Sequence, residues 1–222
     1  MKKIFLLLTL VFLSSPAFAQ KTGNARKLQF RVLLGQHLAT PSGFNEQIKT
    51  ITANSPDVEK IKFNSIDLLW VFDNSAVLGA RYDILEQEDA SGPIQAKLRA
   101  ERIDALLGWR FYKFEKGYLG LISHVALGSD KFNYDTKTVL GNSPVTESKL
   151  KATVEQGYGI GLEGAFYLEK QFPIGLEVGY TSWKTKEFTD SAGAVVRDSS
   201  SKDLQMDLSG PYVKMAVGFT FF

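Results

Sequence analysis

Apolar residues occupy every second position in eight stretches of the chain. A period of two residues indicates β-strands, because successive side chains of a strand point to opposite faces. A further stretch, FNEQIKTIT at 44–52, predicts a short helix. The predicted strands cover residues 28–38, 65–73, 76–86, 98–112, 118–128, 154–168, 174–184 and 204–222.

The segments that join the predicted strands differ in length in a regular way. An up-and-down barrel places its short turns at one end and its longer loops at the other, so long and short connections alternate along the chain. This pattern predicts an all-β fold, an eight-stranded antiparallel up-and-down β-barrel. The short connections are 73–75, 113–117 and 169–173, and the longer ones are 39–64, 87–97, 129–153 and 185–203.

One face of each predicted strand carries no charged residue. In the last strand this face holds Val213, Met215, Val217, Phe219 and Phe221. Every strand supports a run of four or five such positions. Such a run matches the roughly 9–11 residues that a tilted strand needs to cross a bilayer.

The opposite face of the strands is charged, with five basic and five acidic residues. Charges buried inside a barrel require partners. We therefore predict a network across the lumen in which Arg31, Arg81, Arg110 and Lys214 hold Glu163 and Glu177. The predicted lumen charges are Arg31, Asp67, Arg81, Asp83, Arg102, Asp104, Arg110, Glu163, Glu177 and Lys214.

The positions of the glycines indicate which face of the strands points inward. In a soluble barrel the apolar face would lie inside, whereas in a membrane barrel it would meet lipid. Nine glycines share the charged face, among them Gly159, Gly161 and Gly179. Glycine weakens a strand and is useful where space is tight, as inside a narrow eight-stranded barrel. The sequence therefore predicts a transmembrane barrel with short periplasmic turns and long extracellular loops.

Aromatic residues on the apolar face fall at two levels of the predicted barrel. Membrane barrels carry such girdles where lipid meets water. The predicted lipid-facing girdle residues are Phe30, Trp70, Phe72, Trp109, Phe111, Phe166, Phe219 and Phe221 at the lower level and Tyr82, Tyr158 and Tyr180 above them.

The N-terminus has the pattern of a secretory signal peptide, with Lys2 and Lys3, an apolar run over 4–13 and Ala17-Phe18-Ala19. We predict cleavage after Ala19 and one barrel domain over 20–222. The chain has 26 Lys and Arg against 24 Asp and Glu, and loss of the two leader lysines leaves 24 of each. This balance gives no support to nucleic-acid binding. With no Cys, the chain has no disulfides.

These features, with the terminal strand SGPYVKMAVGFTFF, resemble the small outer-membrane β-barrel proteins of Gram-negative bacteria, the OmpA-barrel and OmpX type. The resemblance is architectural and covers the whole mature chain. It implies that the protein lies in the outer membrane, surrounded by lipid and lipopolysaccharide. It also implies that the barrel-assembly machinery recognises the last strand. The pattern differs in one place, because Phe222 is out of phase with Phe219 and Phe221.

Catalytic and metal-binding patterns are weak. Ser123 and His124 are adjacent in a predicted strand and therefore point to opposite faces, so they cannot act as a nucleophile and its base. His37 is the only other histidine, so no histidine cluster is available for a metal. We expect no enzyme activity, no cofactor and no metal.

Three functions fit a barrel of this size, and eight strands are too few for an aqueous channel. We favour a monomer with a structural or surface-interaction role, whose extracellular partner the loops do not specify. An OmpW-like conduit for small hydrophobic molecules is the alternative, and a lipid A-modifying enzyme ranks third. Lys97 and Arg99 lie above the apolar face, where their charges are placed to contact lipopolysaccharide phosphates.

Overall fold

The structure is a computed structural model that describes residues 27–73, 75–127, 131–140, 143–169 and 171–221. The predicted leader at 1–19 and the phase of Phe222 lie outside the described residues. The secondary-structure elements are β1 (Lys27–His37), α1 (Ser42–Ile51), β2 (Ile61–Val71), β3 (Ala76–Ser91), β4 (Ile94–Phe114), β5 (Gly117–Ala126), β6 (Lys131–Leu140), β7 (Ser143–Tyr167), β8 (Pro173–Thr185) and β9 (Gly210–Phe221).

Eight antiparallel strands form a closed ring, which confirms the predicted barrel. Each strand of the ring pairs with the next in the order β1, β2, β3, β4, β5, β7, β8 and β9, and β9 pairs with β1. In the closing pair Phe30 stands opposite Phe219, and Val32 stands opposite Val217. Closure leaves neither of these strands with an unpaired edge. The short connections between β2 and β3, between β4 and β5 and between β7 and β8 mark one end of the ring, called the short-turn end below.

A ninth strand, β6, continues the course of β5. β6 pairs with β4 and with β7, as β5 does lower down. The prediction of a loop over 129–153 is therefore wrong, and the segment 87–97 likewise extends the β3–β4 hairpin. The alternation was missed because here the apolar side chains, such as Phe132 and Leu150, point inward. The assignment of strands had required an apolar outer face.

The last strand begins at Gly210, six residues later than the predicted start at 204. Leu204, Met206 and Leu208 alternate as a strand would, but they belong to the loop after β8 and are fully buried. They join an apolar core in the end of the barrel opposite the short turns. Alternation alone could not separate these loop residues from the strand that follows.

The helix α1 fills the mouth of this apolar core, close to the predicted range of 44–52. The Phe44 ring packs edge-on against Tyr134, with ring centroids 5.0 Å apart, and at a tilt against Phe188, with centroids 5.5 Å apart. Ile48, one turn later, is also buried in the core. Burying one such side chain stabilises a protein by about 1.5–3 kcal/mol. Burial also raises the pKa of Tyr134, whose hydroxyl shares a 2.9 Å hydrogen bond with Ser55 Oγ.

We expect Asn45→Ala to loosen this helix. Asn45 Oδ1 accepts a 2.9 Å bond from the Val58 N–H, and Asn45 Nδ2 donates to the Val58 carbonyl at 3.2 Å. The substitution leaves two backbone groups without these partners and should cost about 1–3 kcal/mol. Hydrogen exchange of the α1 amides measures the loss. Lys49→Ala is the control, because its ion pair with Asp57 is exposed. Equal protection in both variants would contradict the anchoring role.

Within the described ranges, no helix is long and apolar enough to span a membrane.

Candidate functional site

The barrel wall reverses its polarity part of the way along its strands. On β4 the inward residues change from Leu98 and Ala100 to Arg102, while the outward residues change from Arg99 to Ile103. The change occurs at the level where Arg102 pairs with Asp83. We call the part on the short-turn side of this level the lower barrel and the other part the upper barrel. The lower barrel has an apolar exterior, and the upper barrel has an apolar interior.

An exposed apolar belt surrounds the lower barrel on all eight strands of the ring. Soluble monomers rarely expose apolar patches larger than a few hundred Å², so a belt that closes on itself is unusual for a soluble protein. Members of the belt include Val32 on β1, Leu68 on β2, Leu78 on β3, Leu107 on β4, Leu121 on β5, Leu162 on β7, Val178 on β8 and Met215 on β9.

Most of the predicted girdle rings lie on the exterior. Phe72, Tyr82 and Phe219 are half-buried, and the remaining eight are 40–54% exposed. The eight are Phe30, Trp70, Trp109, Phe111, Phe166, Phe221, Tyr158 and Tyr180.

Three further exposed rings were not predicted, namely Tyr112, Phe114 and Phe172. The β4–β5 register shifts between Trp109 and Tyr112, so that Phe111 and Tyr112 both point outward. Such a shift breaks the two-residue period and hides the ring from a search by alternation. Phe172 packs edge-on against Phe219, with ring centroids 5.0 Å apart. Its position in a turn, outside every strand, is the reason that the pattern missed it.

All ten predicted lumen charges are buried, each 6% exposed or less. Arg81 lies at the centre of one group and contacts Asp67 at 2.8 Å and Glu177 at 2.7 Å. Arg31 contacts Asp67 at 2.7 Å and also pairs with Glu163. Tyr212 donates its hydroxyl hydrogen to Glu177 at 2.8 Å. Two arginines thus hold three carboxylates across the lumen.

A second group of charges lies nearer the upper barrel. Arg102 Nη2 contacts Asp83 at 3.0 Å and Asp104 at 2.8 Å. Lys214 Nζ contacts Asp83 at 3.1 Å and donates to Ser65 Oγ at 2.5 Å. Lys214 was predicted to hold Glu163 or Glu177, but its ion pair is with Asp83.

Arg110 stands apart from both groups, close to the short-turn end. Its Nη2 donates to Gln29 Oε1 at 2.5 Å and to the Tyr118 hydroxyl at 3.2 Å. Its Nη1 lies 3.5 Å from the Tyr167 hydroxyl. The carboxylate of Glu163 is 3.9 Å from its Nε. Arg110 therefore has mainly neutral partners.

Several polar members of the interior were not singled out from the sequence. Among them, Gln29, Ser65, Tyr118 and Tyr212 bond directly to the buried charges. They share the inward positions of their strands, so the alternation that found the charges would also have found them.

Inward glycines make room for these side chains. A Cβ added at Gly161 would lie 2.7 Å from the Tyr212 hydroxyl, and one added at Gly179 would lie equally close. A Cβ at Gly159 would overlap the ring of His124. These positions explain why glycines share the inward face with large side chains.

The guanidinium of Arg102 occupies a position in the interior where a metal ion would otherwise fit. In the described part of the chain, Asp83, Asp104 and His124 each place a ligand atom within 4.8 Å of the others, close enough to hold a metal ion. Arg102 Nη2 lies within 3.0 Å of a ligand atom of each of them, so the guanidinium occupies that position.

The structure does not bring Ser123 and His124 together. Ser123 Oγ donates to the Leu107 carbonyl at 3.1 Å, whereas His124 Nδ1 lies 2.6 Å from Asp104 inside the barrel. This pair cannot serve as a catalytic dyad, as the alternation predicted. His37, also buried, bonds to the backbone of Ala39.

One small void lies inside the lumen, and two open clefts lie at the ends of the barrel. A void of about 10 Å³ lies beside Arg31 and Glu163. One open cleft of about 730 Å³ lies between α1 and the loop residues 198–207. Another, of about 710 Å³, opens at the short-turn end.

Lys97 and Arg99 lie on the charged exterior of the upper barrel and face nearby carboxylates. Lys97 is 3.6 Å from Glu88, and Arg99 contacts Glu101 at 2.8 Å and Glu86 at 3.4 Å. Contact of these two residues with lipopolysaccharide stays a prediction, and a phosphate would have to compete with these carboxylates.

No family model matches the chain, and no curated protein matches it. Among solved structures the chain is similar to Neisserial surface protein A, with 10% identity, 88% of this chain and 95% of the other covered, and a TM-score of 0.44. It is also similar to Ail, the attachment invasion locus protein of Yersinia pestis, with 10% identity, 90% and 100% covered and a TM-score of 0.47. For Ail in complex with the heparin analogue sucrose octasulfate, the identity is 9%, the coverage is again 90% and 100%, and the TM-score is 0.46. The pairing of this chain's own strands establishes the barrel.

Proposed function

We propose that the protein is an integral outer-membrane β-barrel with a structural or surface-interaction role. The observation that carries the proposal is the apolar belt around a lumen of buried ion pairs. A membrane barrel puts its apolar residues toward lipid and its polar residues inside. A soluble barrel with these residues would leave the belt in water and would bury ten charges without benefit.

The upper barrel supports contact with partners outside the membrane. Its exterior carries charges of alternating sign on neighbouring strands. Glu88 on β3 stands opposite Lys97 on β4, Lys97 stands opposite Asp135 on β6, and Asp135 stands opposite Lys149 on β7. Its apolar core and α1 fill the interior of this extension. A mixed-charge surface of this kind suits recognition of polar molecules rather than apolar ones.

The proposal includes a lumen that does not conduct ions. The small interior void and the ion pairs that cross the lumen support it. The alternative conduit for hydrophobic molecules would require an apolar path, and the charged groups lie across that path. Surrounding lipopolysaccharide and a monomeric state are part of the same proposal.

The interior supports a non-enzymatic role. Among the described residues, His124 and the carboxylates of the lumen are engaged with arginines or with each other. Ser123 is directed to the opposite face. A catalytic base must be within reach of its nucleophile, and this pair is not.

Planar-bilayer recording tests the closed lumen. We expect no steady conductance from the parent protein, because ion pairs and packed side chains fill the space. Glu163→Gln removes one of the carboxylates that Arg31 contacts. Steady channels in this variant alone would mean that the charges gate the lumen, and no channels in either would support packing as the barrier. Persistent ohmic conductance of the parent would refute the closed lumen.

Membrane fractionation and heat-modifiable gel migration test the location and class independently.

A further inference from the structure

The cleft at the short-turn end has a buried cation at its base. Arg110 and Tyr118 line this cleft, together with Tyr167, Phe114 and Lys116. Arg110 is 6% exposed and sits where the packed lumen meets the open space. The cleft therefore combines an arginine, aromatic rings and access from outside the barrel.

Arg110 differs from the other buried cations in its charge compensation. Arg31, Arg81, Arg102 and Lys214 each lie within 3.1 Å of a carboxylate oxygen. The nearest carboxylate recorded for Arg110 is 3.9 Å away, on Glu163, which already pairs with Arg31. A buried cation is costly unless it is paired. Arg110 is thus the member of the network with an incompletely compensated charge.

The guanidinium of Arg110 also retains donor capacity. It has five N–H groups, and its three recorded hydrogen bonds go to neutral oxygens of Gln29, Tyr118 and Tyr167. Its Nε has no hydrogen-bond partner. A carboxylate would accept charge-assisted bonds, which are about twice as strong as neutral ones.

Aromatic side chains give the cleft a second chemical character. The Arg110 guanidinium stacks on the Tyr118 ring at 3.8 Å, and the Tyr118 and Tyr167 rings lie 6.1 Å apart. Phe114 forms part of the same wall. The rim carries three basic and three acidic residues, so its net charge does not select a ligand. They are Lys27, Lys113, Lys116, Asp73, Glu115 and Glu169. Selection must come from Arg110 and the rings.

We propose that this cleft binds a small organic anion, an aromatic or otherwise apolar carboxylate, whose charged group bonds to Arg110. The rings of Tyr118, Tyr167 and Phe114 pack against its apolar part. The site lies at the opposite end of the barrel from the surface proposed for extracellular contacts. It depends on the local geometry of the cleft and not on the location of the protein.

Nuclear magnetic resonance of the protein in zwitterionic micelles tests the proposal with sodium benzoate as the probe. We expect a saturable shift of the Arg110 Nε–Hε resonance, with a dissociation constant on the order of 1–10 mM. The Nε–Hε resonance of Arg81 is the internal reference, because Asp67 and Glu177 already occupy that guanidinium. Benzyl alcohol, which has the ring without the charge, should leave both resonances in place.

Two variants separate binding from folding. Arg110→Lys keeps the charge but loses the planar pair of N–H donors. The saturation transfer from the protein to benzoate, measured by nuclear magnetic resonance, should therefore fall by about tenfold. Arg110→Gln should abolish it. Heat-modifiable migration verifies that each variant is folded. Arg99→Gln, on the exterior of the upper barrel, is the matched control that should bind normally. No shift with benzoate, an equal shift with benzyl alcohol, or undiminished transfer in a folded Arg110 variant would overturn the proposal.

Discussion

Arg81→Met is expected to destabilise the folded barrel by about 3–5 kcal/mol, because it removes one partner from a buried charge cluster. Arg81 is fully enclosed and contacts both Asp67 and Glu177. Methionine fills much of the volume but removes this guanidinium from Asp67 and Glu177. Among the described residues, the ion pairs left to these carboxylates are those with Arg31. Urea unfolding in lipid vesicles, followed by heat-modifiable migration, measures the loss.

Arg99→Met is the matched control for that experiment. Arg99 also contacts two carboxylates, those of Glu86 and Glu101, but on the water-exposed wall of the upper barrel. An exposed pair contributes about 0–1 kcal/mol. A further Glu177→Gln substitution should recover part of the loss in the Arg81 variant, since it removes one of the uncompensated charges. If the Arg81 and Arg99 variants lost equal stability, the buried network would have no special role in holding the barrel together.

Which charges face the lumen could be predicted from the sequence, but their partners could not. A two-residue period assigns each side chain to a face, and this suffices to put Arg81, Glu177 and Lys214 on the inner one. Which of them meet depends on the relative heights of strands that are distant in sequence. The sequence alone therefore did not place Lys214 beside Asp83 and Ser65, where the Phe63 ring covers its ammonium group at 3.2 Å.

The upper barrel was missed for a different physical reason. Its strands alternate as regularly as those below, as the inward residues Phe132 and Tyr134 on β6 show. The alternation has the opposite sign, because this wall has water outside and an apolar core inside. A prediction that requires the apolar residues to face outward along the whole strand therefore ends each strand where the apolar residues begin to face inward. It assigns the rest of the strand to a loop. The helix α1 belongs to the same core and could be predicted, because its own period of apolar residues is local.

Leu162→Arg provides the sharpest test of the environment outside the lower barrel. Leu162 lies within the apolar belt on β7 and is 55% exposed. Arginine on the lipid face near the bilayer midplane costs about 2–4 kcal/mol, whereas the same change on a water-exposed strand costs little. We therefore expect a large fall in the fraction of protein that folds into phosphatidylcholine vesicles, and a lower urea midpoint for the part that does fold.

Thr153→Arg places the same side chain on the same strand, and Thr153 is exposed on the upper barrel. Because this wall faces water, the variant should fold into vesicles as the parent does. The difference between the two variants isolates the effect of lipid from the effect of an added arginine, since both positions are exposed and both lie on β7. If Leu162→Arg were as harmless as Thr153→Arg, the belt would face water, and the proposed membrane location would fail even though the strand ring remained correct.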